Sequence, residues 1–401
     1  MKLKLLKVSS LFALSVLVGS CVQDKPAAEI QGYDGGDLTK IEASQNNGNP
    51  FGPRYELIAP APAGAPDAGM DIRMAVFISN HSSRVQDNTF SDIDAYNNIS
   101  GVGNISAPAT GALTCDVKDR KGQDYGCTAF NSLQSWFSQS GFLKPLKGAT
   151  VVAPIAHPAK GVASHAVQIE GMRAVGWGGG REAKWTVSIF LGSMDGDGAT
   201  AYAQQFGAAA ANNHITMLNG HFYSYDLTSE AAAEEAFNDA PVWSRVKERT
   251  SKIYGPAIDS FVAAAKNNVM PYRMVVFNGC MSEQIEDMLL RKAQENATPE
   301  NPLDRNIDLI TMNGYSNYHH FGPQIANLAK NFALGTGYKE MLDGMSITTS
   351  GLAALFNPGK QKYFRPMVRS RILDEMCEAH NQSAGALNAV QCGQKKTAIP
   401  R

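Results

Sequence analysis

Three short apolar runs that end in one shared device constrain this chain most. His214-Ile215-Thr216-Met217-Leu218 leads into Asn219-Gly220-His221. Arg273-Met274-Val275-Val276-Phe277 leads into Asn278-Gly279-Cys280, and Ile307-Asp308-Leu309-Ile310-Thr311-Met312 into Asn313-Gly314-Tyr315. Apolar runs this short read as buried strands, and glycine permits a sharp turn off a strand end. The segments between them carry helical spacing. Tyr202, Phe206, Ala209 and Ala210 recur at i, i+4, i+7 and i+8, and Tyr254, Ile258, Phe261, Val262 and Ala265 form a second stripe. Met281, Ile285, Met288 and Leu289 form a third, and a further helix is expected over about 323–333. Upstream, 70–78, 149–153 and 185–191 read as strands and 130–142 as helical. This alternation predicts an α/β domain on a largely parallel sheet of about six strands flanked by helices.

In open α/β sheets, sites form outside the carboxyl ends of the strands. The Asn-Gly-x device sets His221 and Cys280 at equivalent positions on consecutive strands. They are neighbours if those strands pair. Tyr315 holds the third such position and is expected to pack or to wall a pocket.

The N-terminus is organised for export. Lys2, Lys4 and Lys7 precede a short apolar core, Leu11 to Val18, then Gly19, Ser20 and Cys21. Such a segment is a secretory signal, too short to be a stable transmembrane helix. Leu17-Val18-Gly19-Ser20-Cys21 resembles the lipobox of bacterial lipoproteins. That resemblance implies cleavage before Cys21, lipid on its sulfur and anchoring in a bilayer of the cell envelope. Val22, rather than Asp, resembles the pattern of outer-membrane lipoproteins. Residues 1–20 are then a signal peptide and 21–70 a flexible linker, with Ala59-Pro60-Ala61-Pro62-Ala63-Gly64-Ala65-Pro66 as its clearest stretch. Residues 71–401 form a single α/β domain with a polar inserted loop, 81–127, and a C-terminal extension, 336–401.

Export implies an oxidising compartment in which disulfides persist. With Cys21 lipidated, local pairing of Cys115 with Cys127 and of Cys377 with Cys392 is the simplest arrangement, although sequence alone does not fix connectivity. It leaves Cys280 over, as a buried small hydrophobe or a reactive thiol. Lys and Arg total 36 against 37 Asp and Glu, so no basic field points to nucleic acid.

A thiolate forms readily beside an imidazole or at a helix N-terminus, and Cys280 is offered both, by His221 and by a helix starting near Met281. Backbone N–H groups at Cys280 and around Gly220 are candidate oxyanion donors. The order His then Cys, on successive parallel strands each followed by a helix, resembles the caspase-like cysteine peptidases, which include caspases, gingipains, clostripain, legumain and CHAT domains. Met274-Val275-Val276-Phe277-Asn278-Gly279-Cys280 is similar to the apolar strand ending in Cys of CHAT-type members, and the His–Cys spacing of 59 is compatible with the superfamily. The resemblance covers about 184–335. It implies a caspase/gingipain-like α/β/α sandwich and peptide-bond hydrolysis with Cys280 as nucleophile and His221 as proton donor. Gly220, Phe222 and Gly279 would give backbone support. Phe222 stands where the family usually has Gly. Asp195, Asp197 and Asp226 are candidates for a pocket favouring a basic substrate residue.

No cofactor is expected, and the partners are a lipid bilayer and a peptide or protein substrate. A metal site from Asp195 and Asp197 with His81, His157 and His221 lacks a recognisable ligand pattern, and His319 and His320 would face opposite ways on a strand. Gly176-Trp177-Gly178-Gly179-Gly180 lacks P-loop spacing and reads as a flexible turn. The alternative function is a non-catalytic surface lipoprotein whose stapled 81–127 loop binds a glycan, peptide or protein.

Overall fold

The computed structural model describes residues 52–58, 70–79, 99, 102–103, 105, 112–115, 125–146, 152–154, 165–194, 198–220, 253–279, 282–314, 321–345, 364–371 and 375. Its strands are β1 (Met70–Ser79), β2 (Lys144–Pro145), β3 (Val152–Pro154), β4 (His165–Ala174), β5 (Glu182–Gly192), β6 (Ile215–Asn219), β7 (Arg273–Asn278), β8 (Ile307–Gly314) and β9 (Phe364–Arg369). Its helices are α1 (Tyr125–Gln139), α2 (Ala199–Asn212), α3 (Gly255–Ala265), α4 (Glu286–Glu295), α5 (Phe321–Leu334) and α6 (Tyr338–Met345).

Five strands run parallel in the order β5-β1-β6-β7-β8. Antiparallel β4 extends the sheet beyond β5, and antiparallel β9 extends it beyond β8. The short strands β2 and β3 both pair with β4. The protein is therefore an α/β sandwich on a mixed, mostly parallel sheet, as the alternation of apolar runs predicts.

Two separate cores show why both faces need helices. Alternate residues of β1, from Met70 through Ile72, Met74, Val76 and Ile78, join α1, α5 and α6 in one apolar layer. Ala75 and Phe77, from the opposite parity, join α2, α3 and α4 in the other. Residues on successive strand positions face opposite ways, so a strand buried on both faces reads as a continuous apolar run. On the second face, α2 and α3 pack closely because Gly207 has no Cβ, which would overlap the Ala257 carbonyl oxygen.

Several elements differ from the sequence expectation. The helix expected at 130–142 starts earlier, at Tyr125, and ends at Gln139. The strand expected at 149–153 is described as Val152–Pro154. The hairpin partner β4 carries too little apolar alternation to be read as a strand, because Gly171, Glu170 and Arg173 interrupt it. It is a strand because β5 pairs with it along its whole length. Gly171 is needed there, since a Cβ would lie 2.8 Å from both Leu143 Cβ and the Lys144 carbonyl oxygen. The Gly176–Gly178 stretch is a 3-10 turn built against the end of α5, with Trp177 Nε1 donating to the Phe332 carbonyl at 2.8 Å.

The described parts of the C-terminal extension pack into the domain. Tyr338, Met341, Leu342 and Met345 of α6 bury in the first core, and β9 supplies an edge strand containing Pro366. The Tyr272 and Tyr338 hydroxyls both donate to Asp308, whose carboxyl is pushed up by burial. Residues 52–58 fall inside the span read as linker. They include a 3-10 turn whose Tyr55 ring stacks on Trp177 at 5.1 Å and whose hydroxyl donates to the Thr336 carbonyl. The rest of the 21–70 linker and the signal peptide, 1–20, lie outside the described residues. No described helix is long and apolar enough to cross a membrane.

Of the two expected disulfides, Cys115–Cys127 is formed, with Cα atoms 5.5 Å apart. It ties the inserted loop to the first turn of α1. Asn131 reinforces the tie, accepting from Leu113 N–H and donating to Leu113 C=O, each at 2.8 Å. Cys377 and Cys392 lie outside the described residues.

Candidate functional site

The carboxyl edge of the parallel strands is where the sequence points. Chain order along the parallel strands reverses at β1, between β5 and β6. Crevices at such reversals, outside the carboxyl ends, are the usual binding positions in open α/β sheets.

The β6–β7 ladder runs from Ile215 opposite Met274 to Asn219 opposite Asn278. The two Asn-Gly steps are therefore in register on hydrogen-bonded neighbours. The third is not equivalent. Phe277 pairs with Thr311, so Asn313 falls one residue beyond the level of Asn278. β8 runs on because β9 pairs with it as far as Gly314. Two of the three Asn-Gly steps thus share a level.

A side chain bridges each neighbouring pair of strands along this edge. Tyr202, from α2, donates its hydroxyl to the carbonyls of Ile78 on β1 and Phe190 on β5, at 2.9 and 3.1 Å. Asn219 Nδ2 donates to the Phe77 carbonyl on β1 at 3.2 Å. Asn278 Nδ2 donates to Asn219 Oδ1 at 3.0 Å and to Gln324 Oε1 of α5 at 2.8 Å. Ser282 donates to the Phe277 carbonyl on β7 at 2.6 Å and accepts from Met312 N–H on β8 at 2.8 Å. The four bridging side chains, Tyr202, Asn219, Asn278 and Ser282, and Gln324 are all buried. Buried polar groups are costly unless bonded, so each of these residues is committed to the geometry of the edge.

Gly220 and Gly279 are both buried at the strand ends. Gly220 approaches β1 so closely that a Cβ would lie 2.8 Å from Ser79 Cβ. Its N–H donates to the Asn278 carbonyl at 3.3 Å. That hydrogen bond continues the β6–β7 ladder, so Gly220 supports the strand end instead of offering an oxyanion donor. The expected helix dipole at Cys280 is also revised. Ser282–Ile285 is a 3-10 turn, and α4 begins only at Glu286. Glu286 and Asp287 stand in its first turn and already answer the positive end of the helix. Glu286 is buried and accepts a hydrogen bond from the Thr311 hydroxyl.

His221, Phe222, Cys280, Asp195, Asp197, Asp226, Tyr315 and Cys21 lie outside the described residues. So do His81, His157, His319 and His320. Among the described residues, no group of three His, Cys, Asp or Glu side chains could hold a metal ion. In the sequence Asn219 and Asn278 stand only as members of the Asn-Gly-x device, and nothing there marks their buried amides. Gln324 and Ser282 gave no sequence signal, because each lies near the start of a helical segment where polar residues are ordinary.

No protein-family model matches the chain, and no curated protein matches it in sequence.

Proposed function

We propose that the chain is a lipid-anchored envelope protein, tethered through Cys21, whose α/β domain is a caspase-like cysteine peptidase using His221 and Cys280. One observation carries the reading. Asn219 and Asn278 pair across adjacent parallel strands, and in the sequence His221 and Cys280 each follow two residues later. Equal offsets from a paired position support a nucleophile and a proton donor of acyl transfer acting at one edge.

In the proposed reaction the Cys280 thiolate attacks a peptide carbonyl carbon, forming a C–S bond. The His221 imidazolium gives its proton to the leaving amine as the C–N bond breaks. Water, deprotonated by His221, then attacks the thioester carbonyl carbon, and the C–S bond breaks, releasing the carboxylic acid and restoring the Cys280 thiolate beside the His221 imidazolium. The substrate is a peptide or protein reached from the membrane, with Asp195, Asp197, Asp226 and Tyr315 as pocket candidates. No cofactor takes part.

Alkylation by iodoacetamide, localised by mass spectrometry, tests this. A nucleophilic Cys280 reacts quickly near neutral pH, with an apparent pKa below the ~8.5 of a free thiol. Wild type should cleave members of a peptide library, and Cys280→Ala should not. Labelling of Cys280 only after denaturation overturns the peptidase reading in favour of a non-catalytic lipoprotein that binds a glycan, peptide or protein.

A further inference from the structure

Resting on the His221–Cys280 reading, we propose that Asn219, Asn278 and Gln324 are positioning residues. They form a buried amide ladder that fixes how the chain leaves β6 toward His221 and β7 toward Cys280. The ladder has a direction set by its ends. Asn219 donates to the Phe77 carbonyl, and Gln324 Nε2 donates to the Met345 carbonyl of α6 at 2.7 Å. Both outer partners are carbonyls, so both outer amides must turn their nitrogens outward and their oxygens inward. Asn278 lies between those oxygens and gives each of them a hydrogen from its one amide nitrogen. No amide in the ladder can flip without setting oxygen against oxygen or nitrogen against nitrogen.

The ladder does something the apolar pattern cannot. Slipping β6 against β7 by one residue would turn every side chain to the wrong face. Slipping by two residues keeps Ile215 and Met217 on the same face as Met274 and Val276. Hydrophobic alternation hardly opposes that slip. The Asn219–Asn278 pair does, because a two-residue shift leaves buried amides unpaired. Gln324 adds a reference outside the sheet by tying Asn278 to α5 and, through Met345, to α6. Ser282, two residues after Cys280 in the sequence, is itself bound to the Phe277 carbonyl and to Met312 N–H.

The test is the pH profile of Cys280 alkylation in the full-length, detergent-solubilised lipoprotein, read beside its melting temperature. Gln324→Met keeps the side-chain length and removes the amide. It should move the apparent thiol pKa up toward ~8.5 and slow alkylation at pH 7 about tenfold. A merely structural role would lower the melting temperature and leave the profile unchanged, which overturns the proposal. Asn219→Ser applies the same test from the other end, and if neither variant folds the ladder belongs to stability alone. His221→Asn separates the two readings. If it raises the thiol pKa while the ladder variants do not, the dyad stands and the ladder proposal fails. If it leaves the profile unchanged, the dyad fails and the ladder proposal falls with it.

Discussion

Asn278 stands across the β6–β7 ladder from Asn219, with its amide nitrogen 3.0 Å from the Asn219 amide oxygen. Both side chains point into the layer filled by α5, where their neighbours along the strands are Met217 and Val276. Two primary amides in an apolar layer are tolerated only when bonded, and here they join the strands that lead to His221 and Cys280.

Ser282→Ala should destabilise the protein by about 1–3 kcal/mol, because it leaves the buried Met312 N–H without its acceptor. Urea unfolding measures the cost. Hydrogen exchange at Met312 should quicken, while exchange in β4 stays slow.

Gly207→Ala should cost about 1–3 kcal/mol by overpacking the α2–α3 contact. The new Cβ would overlap the Ala257 carbonyl oxygen, a backbone atom that can move only with its helix. Thermal unfolding followed by circular dichroism checks this. A neutral result would mean that the two helices can separate at no cost.

Replacing Cys115 and Cys127 together by Ser should lower stability by on the order of 3 kcal/mol, the chain-entropy value for a loop of this length. The bridge spans a sequence separation of 12. Asn131→Ala in the wild-type background should cost less, because the disulfide still holds the loop that Asn131 grips at Leu113.

His214 should make stability fall on mild acidification. Burial, then the nearby Arg73 and Arg273 charges, lower its pKa from 6.5 to about 4. Its Nδ1 accepts a hydrogen bond from Arg73 N–H, which requires the neutral ring. The unfolded chain therefore binds a proton that the folded chain refuses. The stabilisation is complete above pH 6.5 and is lost as pH falls toward 4, by about 3 kcal/mol over the window. His214→Asn keeps an acceptor for Arg73 and removes the titration. Its stability profile between pH 4 and 6.5 should be flatter than that of wild type.

Much of the architecture was legible because β6, β7 and the second half of β1 are buried on both faces and run largely apolar, while β5 alternates buried apolar with polar positions, as a strand with one core face does. The helices on either side showed their stripes for the complementary reason. Ile258, Phe261 and Val262 of α3 turn toward one core while polar neighbours face water. β9 was not legible, because Pro366 argues against a strand, and proline is tolerated where a strand lies at a sheet edge.

The sequence by itself determined the sheet–helix alternation and the recurrence of Asn-Gly at three strand ends, and it made Cys115–Cys127 the simplest local pairing without fixing it. These depend on local spacing, which periodicity and loop length record. Only the tertiary structure decided that two of those ends share a level and the third does not. Register is set by ladders between strands far apart in the chain, such as β8 with β9. It also decided that the asparagines work through buried amides. A side chain's partners depend on what folds over it, and here that is Gln324, 46 residues beyond Asn278.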